Sequence, residues 1–332
     1  DKIVASMSKT EKIGQMVMIG IQGTKVDDDS LYMLHQFHMG GVILFDRNME
    51  SPEQVKQLTS DLQTQSNEKV PLFIGVDEEG GDVVRMAEKL TPPPSQKEIG
   101  ATGDTEQAKT WAIKTAKSLK EMGINVNFAP VADVGSNDNR SYSTDVNTVI
   151  NFVKAAATGY QQENVIYSLK HFPGIGKGQV DSHVEISSID ASKDVLMAED
   201  ILPFKTIINE NKPEDYFILV SHLKYPALDE EHSASLSSKI MTDLLRNELG
   251  YKGIIITDDM EMGAVANHND FKTVGVNAVK AGADIVLVCH EYQHEQDVYL
   301  GLLDAVDNGE ISQQRIDESV KRIVKAKLLH LY

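Results

Sequence analysis

The residues of greatest chemical capacity in this chain are an adjacent carboxylate pair, Asp258-Asp259, and a spaced acid and imidazole, Asp181-Ser182-His183. Carboxylates act as nucleophiles or proton carriers and an imidazole titrates near neutrality, so both groups suit acid–base or nucleophilic catalysis. Extended backbone sends adjacent side chains to opposite sides, so Asp258 and Asp259 cannot both face one site. Residues two apart share a side, so an extended 181–183 segment lets Asp181 accept a hydrogen bond from one ring nitrogen of His183 and leaves the other to move a proton. Metal chemistry is the rival reading, since His171, Asp181, His183, Asp258 and Asp259 include good ligand types. Against it, no H-x-H pair ends the first apolar run.

Something must hold these groups together. Short apolar runs of strand length recur eight times: 16–19, 41–45, 72–76, 126–131, 166–169, 216–220, 253–256 and 285–288. Helical patterns separate them. Ser51, Pro52 and Gln54 read as N-cap, N1 and N3, with Val55, Leu58 and Leu62 following at helical spacing. Asp104 with Gln107 opens a second helix that stops at Gly123, and amphipathic stretches cover about 193–209, 238–249, 271–281 and 293–306. Apolar runs alternating with helices mark a parallel sheet wrapped by helices, and eight units predict a single (β/α)₈ TIM barrel over 1–332. An open doubly wound sheet is the alternative. No G-x-G-x-x-G follows the first run, however, and no Pro-, Gly- or Ser-rich linker divides the chain.

Polar residues cluster where the runs end. Asp77 ends the third, Asp133 follows the fourth, Lys170 and His171 end the fifth, Ser221 and His222 the sixth, Asp258 and Asp259 the seventh, and His290 the eighth. In a barrel the C-terminal strand ends carry the active site, so this ring predicts a catalytic face. Gly174, Gly176 and Gly178 ease unusual backbone angles in a mostly polar stretch, which predicts a mobile catalytic loop at about 174–190.

Composition narrows the partners. With 50 acidic and 32 basic residues the formal net charge is -18, and no basic cluster stands out, which argues against nucleic acid and anionic membrane surfaces. Hydrophobic residues make up 41%, enough for a substantial core, yet no apolar run approaches the ~20 residues of a spanning helix. Cys289 is the only cysteine and sits in an apolar run, so it reads as core. The chain starts at Asp1 without initiator Met or leader, which fits a removed signal peptide or a trimmed chain; extracytoplasmic and cytoplasmic locations both stay open. Oligomeric state is unreadable.

The string Lys170-His171-Phe172-Pro173-Gly174-Ile175-Gly176, four further residues and then Asp181-Ser182-His183 resembles the signature of bacterial N-acetylglucosaminidases of glycoside hydrolase family 3. The resemblance runs along the chain: Glu11-Lys12-Ile13-Gly14-Gln15-Met16, Asp77-Glu78-Glu79-Gly80-Gly81 with Arg85, Asn127-Phe128-Ala129-Pro130-Val131 with Asp133, Leu202-Pro203-Phe204-Lys205, Ser235-Leu236-Ser237, and Gly253 through Met260. It implies a retaining hydrolase that needs no cofactor or metal and takes a small oligosaccharide or muropeptide. By the same resemblance Asp258 is the nucleophile, His183 oriented by Asp181 is the general acid/base, and Asp77, Arg85, Arg140, Lys170 and His171 hold the sugar. Structural ion pairs with nearby acids are the alternative for Arg85 and Arg140.

Two departures stand out: Ile175 where many relatives have His, and Glu78 and Asp82 where many have Gln and Arg. Two-domain relatives draw their acid from a domain after the barrel. With the last residue at Tyr332, just past a helical pattern, the acid is expected here from the loop after the fifth run. Transfer to phosphate instead of water, and a non-catalytic sugar-binding barrel, are the competing functions.

Overall fold

Eight parallel strands line up in the order expected of a barrel in the computed structural model, which describes residues 1–87, 90–135, 138–178, 187–262, 265 and 270–332. They are β1 (Val17–Gly20), β2 (Gly41–Leu44), β3 (Phe73–Val76), β4 (Val126–Asn127), β5 (Ile166–Phe172), β6 (Tyr216–Val220), β7 (Ile254–Thr257) and β8 (Val286–Val288). Each pairs in parallel with its sequence neighbour, β8 pairs back onto β1, and a bridge between Ile256 and Ile285 joins β7 to the start of β8. Closure leaves the eight-stranded sheet without a free edge among the described residues. All eight strands are buried throughout, as a sheet covered on both faces requires.

Helices follow from caps and apolar stripes. Ser51 accepts a hydrogen bond from the Gln54 amide to open helix Pro52–Ser66, as its sequence predicts. Asp104 opens helix Thr105–Glu121 by accepting from Glu106 rather than Gln107. The stretch predicted as one helix over 193–209 is two, Lys193–Ala198 and Leu202–Glu210, because Pro203 belongs in a first turn and restarts the helix there. The fourth apolar run also departs from expectation. Only Val126 and Asn127 pair as strand, since Pro130 has no amide to give the ladder, and Val131 rejoins by a single bridge to Lys170.

Side chains fill the barrel. A Cβ on Gly75 would stand 2.7 Å from the Phe128 ring and 3.0 Å from Met18 Cε, so glycine in β3 makes room for both. The floor is closed by the last helix, Gln313–His330, whose fully buried Lys327 donates to Gln15 Oε1 (2.7 Å) and to the Gly40 carbonyl (2.8 Å). Near the β7–β8 seam the buried Asp284 carboxylate accepts from the Ile255 amide, Arg246, Arg322 and Ser319 at 2.6–2.9 Å. That one group ties the sheet to two helices.

Candidate active site

The turn after β3 brings three charged groups to the C-terminal face. Gly80 and Gly81 have φ of 114° and 59°, a region L side chains rarely adopt, and a Cβ on Gly80 would meet the Pro94 carbonyl at 2.2 Å. The tight reversal lets Asp77, Glu79 and Arg85 converge. Asn127 at the end of β4 braces it, accepting from the Glu78 amide (2.9 Å) and donating to the Glu78 carbonyl (3.0 Å).

β5 contributes two adjacent side chains to one cavity. Its register with β6 slips between Leu169 and Phe172, where β5 carries one residue more than its partner. Strict alternation would send Lys170 and His171 to opposite faces; the bulge admits both to the site.

An alternating chain of charges follows. Lys170 Nζ lies 2.6 Å from Glu79 Oε2 and 3.1 Å from Asp77 Oδ1. Glu79 also takes Arg140 in a two-point grip, through Nε and Nη2, both at 2.9 Å. Burial would raise the Glu79 carboxyl, but Lys170 and Arg140 outweigh it and hold it down to about 2. The Lys170 ammonium, which burial alone would depress, is raised by Glu79 and Asp77 and stays charged. Arg85 Nη2 stands 3.6 Å from Asp77 Oδ2.

His171 has its tautomer set from both sides. Nδ1 lies 2.8 Å from Asp133 Oδ2, and Nε2 lies 3.2 Å from Arg140 Nη2. A guanidinium can only donate, so in the neutral ring Nε2 accepts and Nδ1 carries the proton toward Asp133. The other Asp133 oxygen accepts from the His171 and Ile175 amides at 3.1 and 3.0 Å. One buried carboxylate thus fixes a ring and the root of the following loop.

Asp258, just past β7, presents its carboxylate to the same cavity, with Oδ1 accepting from the Asp259 amide at 2.9 Å. Burial would raise it, but the His171 and His222 imidazoles bring it below the usual carboxylate range. Its neighbour differs in environment. Asp259 Oδ1 accepts from the Glu261 and Cys289 amides (3.1 and 3.2 Å), its carbonyl accepts from His222 Nε2 (2.7 Å), and burial pushes its carboxyl up to about 7. Of the pair, Asp258 is the better anion at neutral pH.

These groups surround a cavity of about 330 Å³ with a mostly apolar floor, including Ile43, Phe128, Leu219 and Leu287. Asp77, Arg85, Arg140, Lys170, His171 and Asp258 all line it. Asp181 and His183 lie outside the described residues, as does the middle of the loop expected at 174–190. Both flanks of that stretch are tied: Lys177 pairs with Glu199 (2.6 Å) and Asp200 (2.8 Å), and Ser187 and Ile189 bond to Lys224 across backbone at 2.9 Å. A larger cavity of about 610 Å³ opens beside Val70, Asn125 and Val165, at the N-terminal strand ends, where barrel residues serve stability.

The sequence placed Asp133 in the polar ring at the strand ends without giving it a role, and gave Glu79 none, although both stand in the family-like motifs. Their roles are made by partners far along the chain, so only their position beside strand ends pointed to them. Cys289, read as core, is buried and also borders the cavity.

Fold and pocket together place the chain among TIM barrels, with its candidate site at the C-terminal face of the sheet. Residues 9–326 match the family described as the glycosyl hydrolase family 3 N terminal domain, and the chain belongs to glycoside hydrolase family 3. It is 35% identical over 326 residues to the β-hexosaminidase A of Pseudoalteromonas piscicida, covering 89% of this chain and 54% of that protein. A β-hexosaminidase of Nitrosomonas eutropha is 31% identical over 318 residues, covering 92% of this chain and 90% of that one. Among solved structures, a family 3 β-N-acetylglucosaminidase from a Paenibacillus species superposes with a TM-score of 0.95 at 35% identity, over 98% of this chain and 63% of the other. The chain therefore spans only about half to two thirds of two of these relatives. Among the described residues, no helix is long and apolar enough to cross a membrane.

Proposed function

We propose that this chain is a retaining exo-β-N-acetylglucosaminidase that removes N-acetylglucosamine from the non-reducing end of β-linked glycans, with peptidoglycan fragments as the natural substrate. The observation that carries the reading is an ionised Asp258 on the wall of a cavity ringed by donors and acceptors. At about 330 Å³ the cavity is near the lower end of ligand pockets (about 300 to 1,000 Å³), which suits one terminal sugar better than a chain threading through. The relatives named β-hexosaminidase and β-N-acetylglucosaminidase supply the sugar.

In this mechanism Asp77 accepts from sugar hydroxyls while Lys170, Arg140 and Arg85 donate, so hydroxyls that give and take are held between them. Asp258 attacks the anomeric carbon and forms a covalent glycosyl ester as the aglycone leaves. His183, oriented by Asp181, protonates the departing oxygen and then takes a proton from the water that cleaves the ester. Two inversions retain the β configuration.

A fluorinated N-acetylglucosaminide should trap the ester on Asp258, and NMR should show the β-anomer released first. Labelling of Asp259, or α-product first, overturns the assignment. His183→Ala should slow substrates with poor leaving groups far more than activated aryl glycosides, and Asp181→Ala should show a weaker form of the same pattern. Running the assays with and without phosphate identifies the acceptor.

A further inference from the structure

His290, two residues past β8, is absent from the roles assigned above, yet it borders the same cavity as Asp258. Its surroundings set its chemistry. Arg47 lies in the short 3₁₀ turn Asp46–Asn48 beyond β2 and donates through Nε to the Ile21 carbonyl (2.9 Å) and through Nη2 to the Cys289 carbonyl (2.6 Å). Its remaining terminal nitrogen, Nη1, stands 2.7 Å from His290 Nδ1. A guanidinium stays protonated and offers only donors, so Nδ1 must accept and the ring proton sits on Nε2. The imidazole is therefore neutral and in one tautomer.

The residue is also held in place. Its amide donates to Glu261 Oε1 at 2.6 Å, its carbonyl accepts from Gln22, and its ring packs against Phe45 with centroids 5.0 Å apart. The side chain nevertheless keeps 47% of its surface exposed at the cavity mouth. Nε2 is 3.9 Å from Asp259 Oδ2, beyond hydrogen-bond reach. A fixed donor without a close acceptor among the described residues, just past the strand that neighbours β7, is arranged for a ligand oxygen.

We propose that His290 is a specificity-determining residue whose Nε2–H donates to a hydroxyl of the hexosamine bound beside Asp258. The inference rests on the reading that a hexosamine occupies this cavity. Protonating the leaving group is not its task, because general acid catalysis by a histidine draws on the imidazolium, and burial together with Arg47 lowers the pKa of this ring. The contribution is binding and discrimination among sugars.

The test pairs enzyme variants with substrate variants. kcat/KM is measured for an aryl N-acetyl-β-glucosaminide and for analogues that each lack one ring hydroxyl, using the unaltered protein, His290→Ala and His290→Gln. His290→Ala should lose about threefold to tenfold on the parent substrate, the worth of one neutral hydrogen bond. For one analogue that loss should vanish, which identifies the hydroxyl. His290→Gln, which keeps a side-chain N–H donor, should recover part of the activity on the parent and none on that analogue. An equal loss across parent and all analogues overturns the assignment of His290 while leaving the glycosidase reading intact. No turnover of the parent by the unaltered protein overturns both.

Discussion

Lys170 Nζ and Glu79 Oε2 lie 2.6 Å apart in a setting where both side chains are almost fully buried, and the same carboxylate holds Arg140 by two hydrogen bonds. Glu79 is therefore the counter-ion that lets two cations stand in a low-dielectric cavity and keeps each pointed at the space a sugar would fill.

Replacing Glu79 with Gln keeps the shape and removes the charge. Removing one partner of a buried pair costs about 3 to 5 kcal/mol because the other is left uncompensated. Urea unfolding of Glu79→Gln should show a loss of that order, together with a fall in kcat/KM. A change below about 0.5 kcal/mol would show that Asp77 alone satisfies Lys170.

Asp133 holds the ring of His171, one of the proposed sugar contacts. In Asp133→Asn an amide offers either its oxygen to the ring or its oxygen to the two backbone amides, but not a charge to both, and the Nδ1–H tautomer is no longer enforced. An unsatisfied buried donor costs about 1 to 3 kcal/mol, so kcat/KM should fall roughly fivefold to a hundredfold. Combined with His171→Ala the losses should be strongly non-additive. Simple addition would place the effect in the Ile175 contact instead.

Glu78 gives a pH-dependent stability with a definite sign. It is 4% exposed, and burial, only partly offset by the Arg85 amide, pushes its carboxyl up to about 7. Between an unfolded value of about 4.3 and that folded value the native state binds more protons than the unfolded one, so this group's contribution falls as pH rises through the window. Glu78→Gln removes the effect and can still accept from Arg85. The variant should gain roughly 1 to 3 kcal/mol over the parent at pH 8 and little near pH 5, by denaturant titration. Equal differences at both pH values would contradict the prediction.

Lys327 has the opposite slope. Full burial without an adjacent carboxylate lowers its ammonium to about 7, with only a weak pull from Glu68. Between about 7 and the unfolded value near 10.4 the native state binds fewer protons, so stability from this site rises with pH across that range. Relative to Lys327→Met, the parent should gain up to about 1.4 kcal/mol per pH unit there. A parallel pH dependence in the two proteins would mean that Lys327 stays charged in the fold.

Much of this was legible along the chain because it depends on local pattern. Runs such as 216–220 are apolar at every position, which only a doubly covered strand tolerates, and eight of them with helices between leave few topologies besides a closed barrel. Caps were readable where a short polar side chain precedes a helix, as at Ser51. Strand ends pointed to Asp77, Lys170, His171 and Asp258, since the end of each run is fixed by the run itself.

What tertiary structure decided is everything that depends on charge meeting charge across loops. Neither the β5 bulge that admits both Lys170 and His171, nor the bond from Asp133 that sets a ring's proton, has a period or a spacing in sequence. The contrast between Asp258 and Asp259 is of the same kind. Parity says that adjacent side chains diverge, but two imidazoles near one carboxylate and burial of the other make the first an anion and lift the second to about 7. Electrostatic environment is a sum over neighbours in space, and those neighbours come from β5, β6 and β8, distant along the chain until the barrel closes.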